Sequence, residues 1–181
     1  MNRKLKLDEL ERISIQNFKE LPKLPVVVVL DNVRSLHNVG SIFRTCDAFR
    51  ITELHLCGIT ATPPHREIQK TALGATESVN WKYFTSTSDS IKSLHSHNYQ
   101  IVALEQTTDS IQLNEFSHDL AEKKGIALVF GNEVNGVSGE IVNLADFCVE
   151  IPQFGTKHSF NVSVTVGISL WDISNKIKKG W

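Results

Sequence analysis

Net charge is the first thing this sequence lacks. Its 181 residues hold 19 Lys and Arg against 20 Asp and Glu, a formal balance of -1. That excludes a histone-like or tail-type electrostatic binder, so any nucleic-acid site must be a local patch on a near-neutral body. Cysteine is scarce as well. Cys46, Cys57 and Cys148 cannot close a disulfide framework, and their spacing matches no metal site. They read as small buried hydrophobes in a reducing compartment. Long apolar runs are missing too, with nothing approaching the roughly 20 residues that span a bilayer. The N-terminus, MNRKLKLDELER, is too charged to contain the apolar core of a signal peptide. These absences lead us to expect a cytoplasmic protein with no membrane association and no metal. What is present, 41% hydrophobic and 22% charged residues, suits one packed domain rather than a disordered chain.

The pattern along the chain alternates. Leu7 to Phe18 spaces apolar residues among charges as an amphipathic helix that ends before Pro22 and Pro25. We therefore expect residues 1–22 to be an N-terminal helix and extension, and 23–181 to be the main domain. Val26-Val27-Val28-Val29-Leu30 is an unbroken run of mostly β-branched residues, which is the mark of a strand buried on both faces of a parallel sheet. Helices are expected over Val39–Phe49, His65–Leu73, Ser88–His97, Ser138–Leu144 and Val162–Lys179. Strands are expected over Glu53–Cys57, Val79–Phe84, Ile101–Leu104, Ile126–Phe130 and Phe147–Ile151. The stretch from Glu105 to Lys124 reads as loop with some helix. This order predicts an α/β fold, a mostly parallel sheet flanked by helices.

In such sheets ligands bind beyond the carboxyl ends of the strands. Three loops there are chemically unusual. The first runs from Asp31 to Arg44; Asn38 is placed to cap the following helix, and Gly40 permits close backbone approach. The second, Phe130-Gly131-Asn132-Glu133-Val134-Asn135-Gly136-Val137-Ser138-Gly139, presents backbone amides between a buried strand and a helix. It has neither P-loop nor dinucleotide-fingerprint glycine spacing. The third, Ile151 to Val164, offers Ser159, Asn161 and Ser163, more polar groups than one helix cap needs. There is no Ser-His-Asp order and no clustered metal-ligand spacing. His37 and His158 read as solvated loop residues, and Trp81, Trp171 and Trp181 as packing residues.

In their order, these loops resemble the three motifs of the SpoU/TrmH branch of the SPOUT methyltransferases. The resemblance runs from about Val26 to the C-terminus. It rests on Asn38-Val39-Gly40-Ser41-Ile42-Phe43-Arg44, on Leu128-Val129-Phe130-Gly131-Asn132-Glu133-Val134-Asn135-Gly136-Val137, and on Ile151-Pro152-Gln153-Phe154-Gly155 through Ser159-Phe160-Asn161-Val162-Ser163. It implies S-adenosylmethionine-dependent 2′-O-methylation of a ribose in tRNA or rRNA, with S-adenosylhomocysteine as product. It also implies a deep C-terminal trefoil knot, a feature no periodicity argument yields, since knotted chains are rare.

By the same resemblance the catalytic arginine falls on Arg44, supported by Asn38, Glu133, Ser159 and Asn161. The cofactor pocket falls on Leu104, Glu105, Phe130, Gly131, Asn132, Gly136, Ile151, Phe160 and Ser163. Phe160 stands where the family usually has leucine, which should reshape the adenine pocket mildly. The chain shows neither the extra N-terminal RNA-binding domain of larger relatives nor the long basic C-terminal extension of some tRNA enzymes. RNA contact is therefore expected from Arg34, Arg44, Arg50 and Lys157, with Arg3, Lys4, Lys6, Arg66, Lys70 and the C-terminal lysines adding to the patch. A homodimer is expected through the last helix, pooling two such patches. The alternative reading is a non-catalytic RNA-binding or assembly factor with the same fold. Intact Asn38, Arg44, Glu133, Ser159 and Asn161 argue against it. An enzyme using another nucleotide is disfavoured by the missing glycine fingerprint.

Overall fold

The computed structural model describes residues 2–6, 9, 13–117 and 122–178. Its centre is a sheet of seven strands: β1 (Leu24–Asp31), β2 (Ile51–Cys57), β3 (Trp81–Phe84), β4 (Tyr99–Leu104), β5 (Ile111–Gln112), β6 (Gly125–Phe130) and β7 (Phe147–Glu150). Their order is β3-β2-β1-β6-β4-β7-β5. Every described strand pairing is parallel. Among the described residues there are seven helices: α1 (Ile15–Glu20), α2 (Leu36–Phe49), α3 (Arg66–Ala72), α4 (Ala75–Ser78), α5 (Thr87–Ser96), α6 (Gly139–Leu144) and α7 (Val162–Lys178).

The valine run explains the layering. Successive strand side chains point to opposite faces. Accordingly Val26, Val28 and Leu30 enter a core with α2, α3 and α7, while Val27 and Val29 enter a second core with α5 and α6. All five are buried to within 2%. A strand with no polar face has to be covered twice, and the two helical layers do that. Gly40 marks a close contact within one of these layers. A Cβ there would collide with the Thr71 hydroxyl and the Ile68 carbonyl, so only glycine lets α2 and α3 meet this closely.

From Leu24 onward the expected strands and helices all form, with ends moved by a few residues. Tyr99 and Gln100 extend β4 and Ile51 extends β2. α2 starts three residues early, because Ser35 rather than Asn38 is its cap; the Ser35 hydroxyl accepts the Asn38 backbone N–H at 3.3 Å. Leu7 and Leu10, on which the expected N-terminal helix rested, lie outside the described residues, as do Lys179 and Trp181. The helix that is described there is the six-residue α1, capped by Ser14. Two elements were not anticipated. β5 is a two-residue edge strand with no apolar run to announce it, and α4 is a single turn after Gly74.

Trp81 packs edge-on against Phe43, but Trp171 is 64% exposed, which corrects its reading as a packing residue. Cys46 and Cys57 are buried, and desolvation raises both thiols, Cys57 to about 12, so they stay protonated and inert.

Replacing Gly40 by alanine should cost about 1–3 kcal/mol through overpacking. A chemical denaturation midpoint that falls with unchanged slope would match this; an unshifted midpoint would show that α3 gives way freely.

Candidate active site

The carboxyl ends of β4, β6 and β7 lie side by side, and their following loops enclose a cavity of about 530 Å³. Leu104, Phe130, Val149, Ile151 and Phe160 supply its apolar wall, while Gly131, Asn132 and Gly136 bring backbone to its edge. That volume and mixture suit a small-molecule ligand the size of a nucleoside.

The loop after β6 is folded back on itself. Asn132 and Gly136 exchange backbone hydrogen bonds at 3.1 and 3.0 Å, and the Asn132 side-chain oxygen accepts the N–H groups of Val134 and Asn135, each at 2.9 Å. Gly136 sits at φ +64 with a carboxylate against its Cα, and a Cβ on Gly131 would strike the Gly136 backbone. The result is a compact tongue with Glu133 near its tip.

Glu133 ties the tongue to the loop after β1. Its carboxylate accepts the backbone N–H of Arg34 at 3.2 Å and of Ser35 at 3.3 Å, and the side-chain amide of Asn38 at 2.8 Å. The Asn38 side-chain oxygen in turn accepts from the Asn161 amide at 3.2 Å. Asn161 accepts the Ser163 N–H and hydroxyl at 2.9 and 2.6 Å, which orients its amide. Three loops far apart in sequence are thereby joined through one chain of side-chain hydrogen bonds. Partial burial works against the Glu133 charge, but the Asn38 amide and the backbone N–H groups more than offset it, holding the carboxyl below its ordinary range.

Of the residues singled out for catalysis, Asn38, Glu133 and Asn161 are thus in contact. Glu133, Ser159 and Asn161 line the cavity. Arg44 stands apart. It is exposed two turns along α2 from Leu36, does not line the cavity and forms no hydrogen bond among the described residues. Of the expected pocket residues, Leu104, Glu105, Phe130, Gly131, Asn132, Gly136, Ile151 and Phe160 line the cavity, whereas Ser163 instead orients Asn161. Arg34 and Lys157 are exposed on loops beside the cavity. Arg50 caps the far end of α2, where its carbonyl accepts from Leu24 at the start of β1. It therefore belongs to the opposite edge of the sheet.

Sequence reasoning missed Asp31. Only 1% exposed, it accepts the Thr87 hydroxyl at 2.6 Å, the Asn32 amide at 2.8 Å and the Ser138 N–H at 3.0 Å, and so binds both loops to the sheet. A charge closing an apolar strand was the available signal. Gln153 and His158 also line the cavity, and nothing in their spacing marked them. Among the described residues no group of three His, Cys, Asp or Glu is placed to hold a metal, and no helix is long and apolar enough to cross a membrane.

Fold and site together define an α/β domain with a nucleoside-sized pocket at the carboxyl edge of a parallel sheet. The chain belongs to the SpoU rRNA methylase family, whose family model matches residues 25–171. It is 34% identical over 153 residues to a tRNA (guanosine(18)-2′-O)-methyltransferase of Aquifex aeolicus, covering 81% of this chain and 67% of that protein. A Thermus thermophilus enzyme of the same description is 30% identical, covering 86% and 77%. The solved A. aeolicus TrmH/SpoU tRNA modifying enzyme superposes with a TM-score of 0.79 at 28% identity, covering 92% of this chain and 83% of that one. An AdoMet-bound rRNA methyltransferase from Sinorhizobium meliloti superposes with a TM-score of 0.76 at 27% identity, covering 87% and 59%.

Glu133→Gln should remove about 1 kcal/mol at neutral pH, a small value because the site is solvent-accessible. A carboxyl held low in the folded state adds stability above its ordinary range and loses it as pH falls through the depressed value. The difference between wild type and variant in denaturant midpoint should accordingly shrink on acidification. A difference that persists unchanged in acid would contradict the carboxylate's role.

Proposed function

We propose that this chain is an S-adenosylmethionine-dependent methyltransferase acting on the ribose 2′-hydroxyl of a tRNA or rRNA. The observation that carries the proposal is the hydrogen-bonded chain Glu133–Asn38–Asn161 at the rim of a nucleoside-sized cavity. The cavity fits the cofactor: apolar side chains can flank an adenine, and the backbone at Gly131 borders the space its polar atoms would take. When bound, the cofactor supplies a methyl group already activated on a sulfonium sulfur.

The protein's own task is then alignment and deprotonation of a poor nucleophile. Asn38 is fixed by Glu133 on one side and Asn161 on the other, so the rim is preorganised before RNA arrives. Ser159 presents a hydroxyl from the cavity wall. Arg44, exposed on α2 and outside the cavity lining, would have to reach toward the substrate from beside the rim. A guanidinium stays charged near neutrality, so it is suited to hold the ribose or a neighbouring phosphate and unsuited to act as the base. Arg34 and Lys157 extend this positive edge, and phosphate contacts of this kind position an RNA without reading its sequence.

A homodimer through α7 belongs to the same reading. Val164 and Trp171, seven residues apart and so on one side of the helix, are 48% and 64% exposed. A bare aromatic face of this kind is what a second copy would cover. The trefoil knot also belongs to it. Its support is the contact of the loop after β4 with the loops after β6 and β7, where Glu105 accepts the Val137 N–H at 2.7 Å and the Gln106 amide donates to the His158 carbonyl at 3.4 Å.

Arg44→Ala should lower methyl transfer to RNA by at least about a hundredfold while calorimetry shows cofactor binding unchanged. Full activity in the variant would remove Arg44 from the mechanism. If wild-type protein binds cofactor but methylates no tRNA or rRNA, a non-catalytic RNA-binding role replaces the enzymatic one. RNA affinity should also be weak and fall as salt rises, with the modest slope that a small set of phosphate contacts gives.

A further inference from the structure

We propose that Glu105 is a positioning residue that shapes the cofactor cavity by bracing the tongue after β6, and does so without touching the cofactor. This rests on the reading of the cavity given above. Glu105 is the first residue beyond β4. Its backbone N–H donates to Val149 of β7 at 3.0 Å, which fixes its place between the β6 and β7 loops. Its side chain then turns toward the tongue. One carboxylate oxygen accepts the Val137 N–H at 2.7 Å, and the other accepts the Gln106 N–H at 2.9 Å.

The oxygen bound to Val137 also lies against Gly136, where a Cβ would collide with it. Val137 is only 5% exposed, so its N–H has little access to water and would lack an acceptor without this carboxylate. Bonds from neutral N–H groups to a carboxylate are stronger than neutral pairs. The tongue is therefore held at two points, by Glu105 at its root and by the loop after β1 at its tip through Glu133. The root borders the cofactor cavity and the tip borders the catalytic rim, and the tip keeps its own anchor in Glu133 when the root is loosened. Next to it, the Gln106 side chain reaches the His158 carbonyl at 3.4 Å, a weaker tie to the loop after β7.

Glu105→Gln tests this in the full chain. Both oxygens accept N–H groups, so an amide must place its own N–H against a donor in either orientation. In the absence of cofactor, amide hydrogen exchange across residues 132–138 should speed up by about tenfold or more, and S-adenosylmethionine affinity by calorimetry should weaken by a similar factor. The RNA KM at saturating cofactor should hold. Unchanged exchange with lost affinity would mean that Glu105 contacts the cofactor directly, and unchanged exchange with unchanged affinity would leave it no role; either overturns the proposal. Should the glutamine variant fail to fold, Glu105→Asp keeps the charge but falls one methylene short, and the same exchange comparison decides. Exchange is read without cofactor. Failure of the wild type to bind S-adenosylmethionine would therefore sink the reading of the cavity while the brace is still judged by its own measurement.

Discussion

The Glu133 carboxylate is the point on which the site depends. It is the only group among the described residues that gathers the backbone of the loop after β1 and the side chain of Asn38 onto the tongue after β6. Asn38 then passes the constraint to Asn161 at the entry to α7. Each partner alone would be a polar residue on a mobile rim. Linked, each fixes the rotamer of the next, so the order of the rim is a property of the chain of bonds. Such preorganisation costs entropy during folding rather than at the moment of reaction.

Beneath this rim lies a rigid sheet. β6 is its middle strand, buried along its whole length, and its neighbour β1 is buried everywhere but at Pro25. Asp31 and Phe130 end these two strands, and from there the first two loops depart. Asp31 then returns hydrogen bonds to Thr87 and Ser138, so the carboxyl edge is tied from the opposite helical layer as well. Function sits on loops, but each loop leaves the sheet next to a buried anchor.

The parallel sheet was legible because its central strands have no polar face: Val26–Leu30 and Ile126–Phe130 have one plausible environment. The loops were legible as a site because their glycines and surplus polar residues exceeded what turns and caps need. Other features were hidden for physical reasons. β5 is too short for a pattern and takes its place from β7, not from its own residues. Ser35 caps α2 because it lies three residues before an N–H it can reach, and this frees Asn38 for Glu133; both residues are good caps, so propensity alone could not choose. Asp31 and Glu105 look like ordinary surface acids until their partners, 107 and 32 positions away in the chain, are known.

The strand order has a consequence for how the molecule comes into being. β6 occupies the slot between β1 and β4, although both of those precede it in the chain. Until residue 130 has been synthesised, the sheet exists at best as the β3-β2-β1 fragment and a lone β4, each with an unpaired apolar edge. Such edges invite pairing with other chains. Assembly must also wait for contacts of long sequence separation, which are slow to form. The nascent chain is therefore most vulnerable to aggregation just before its central strand emerges, and its biogenesis is governed by the interval between β4 and β6.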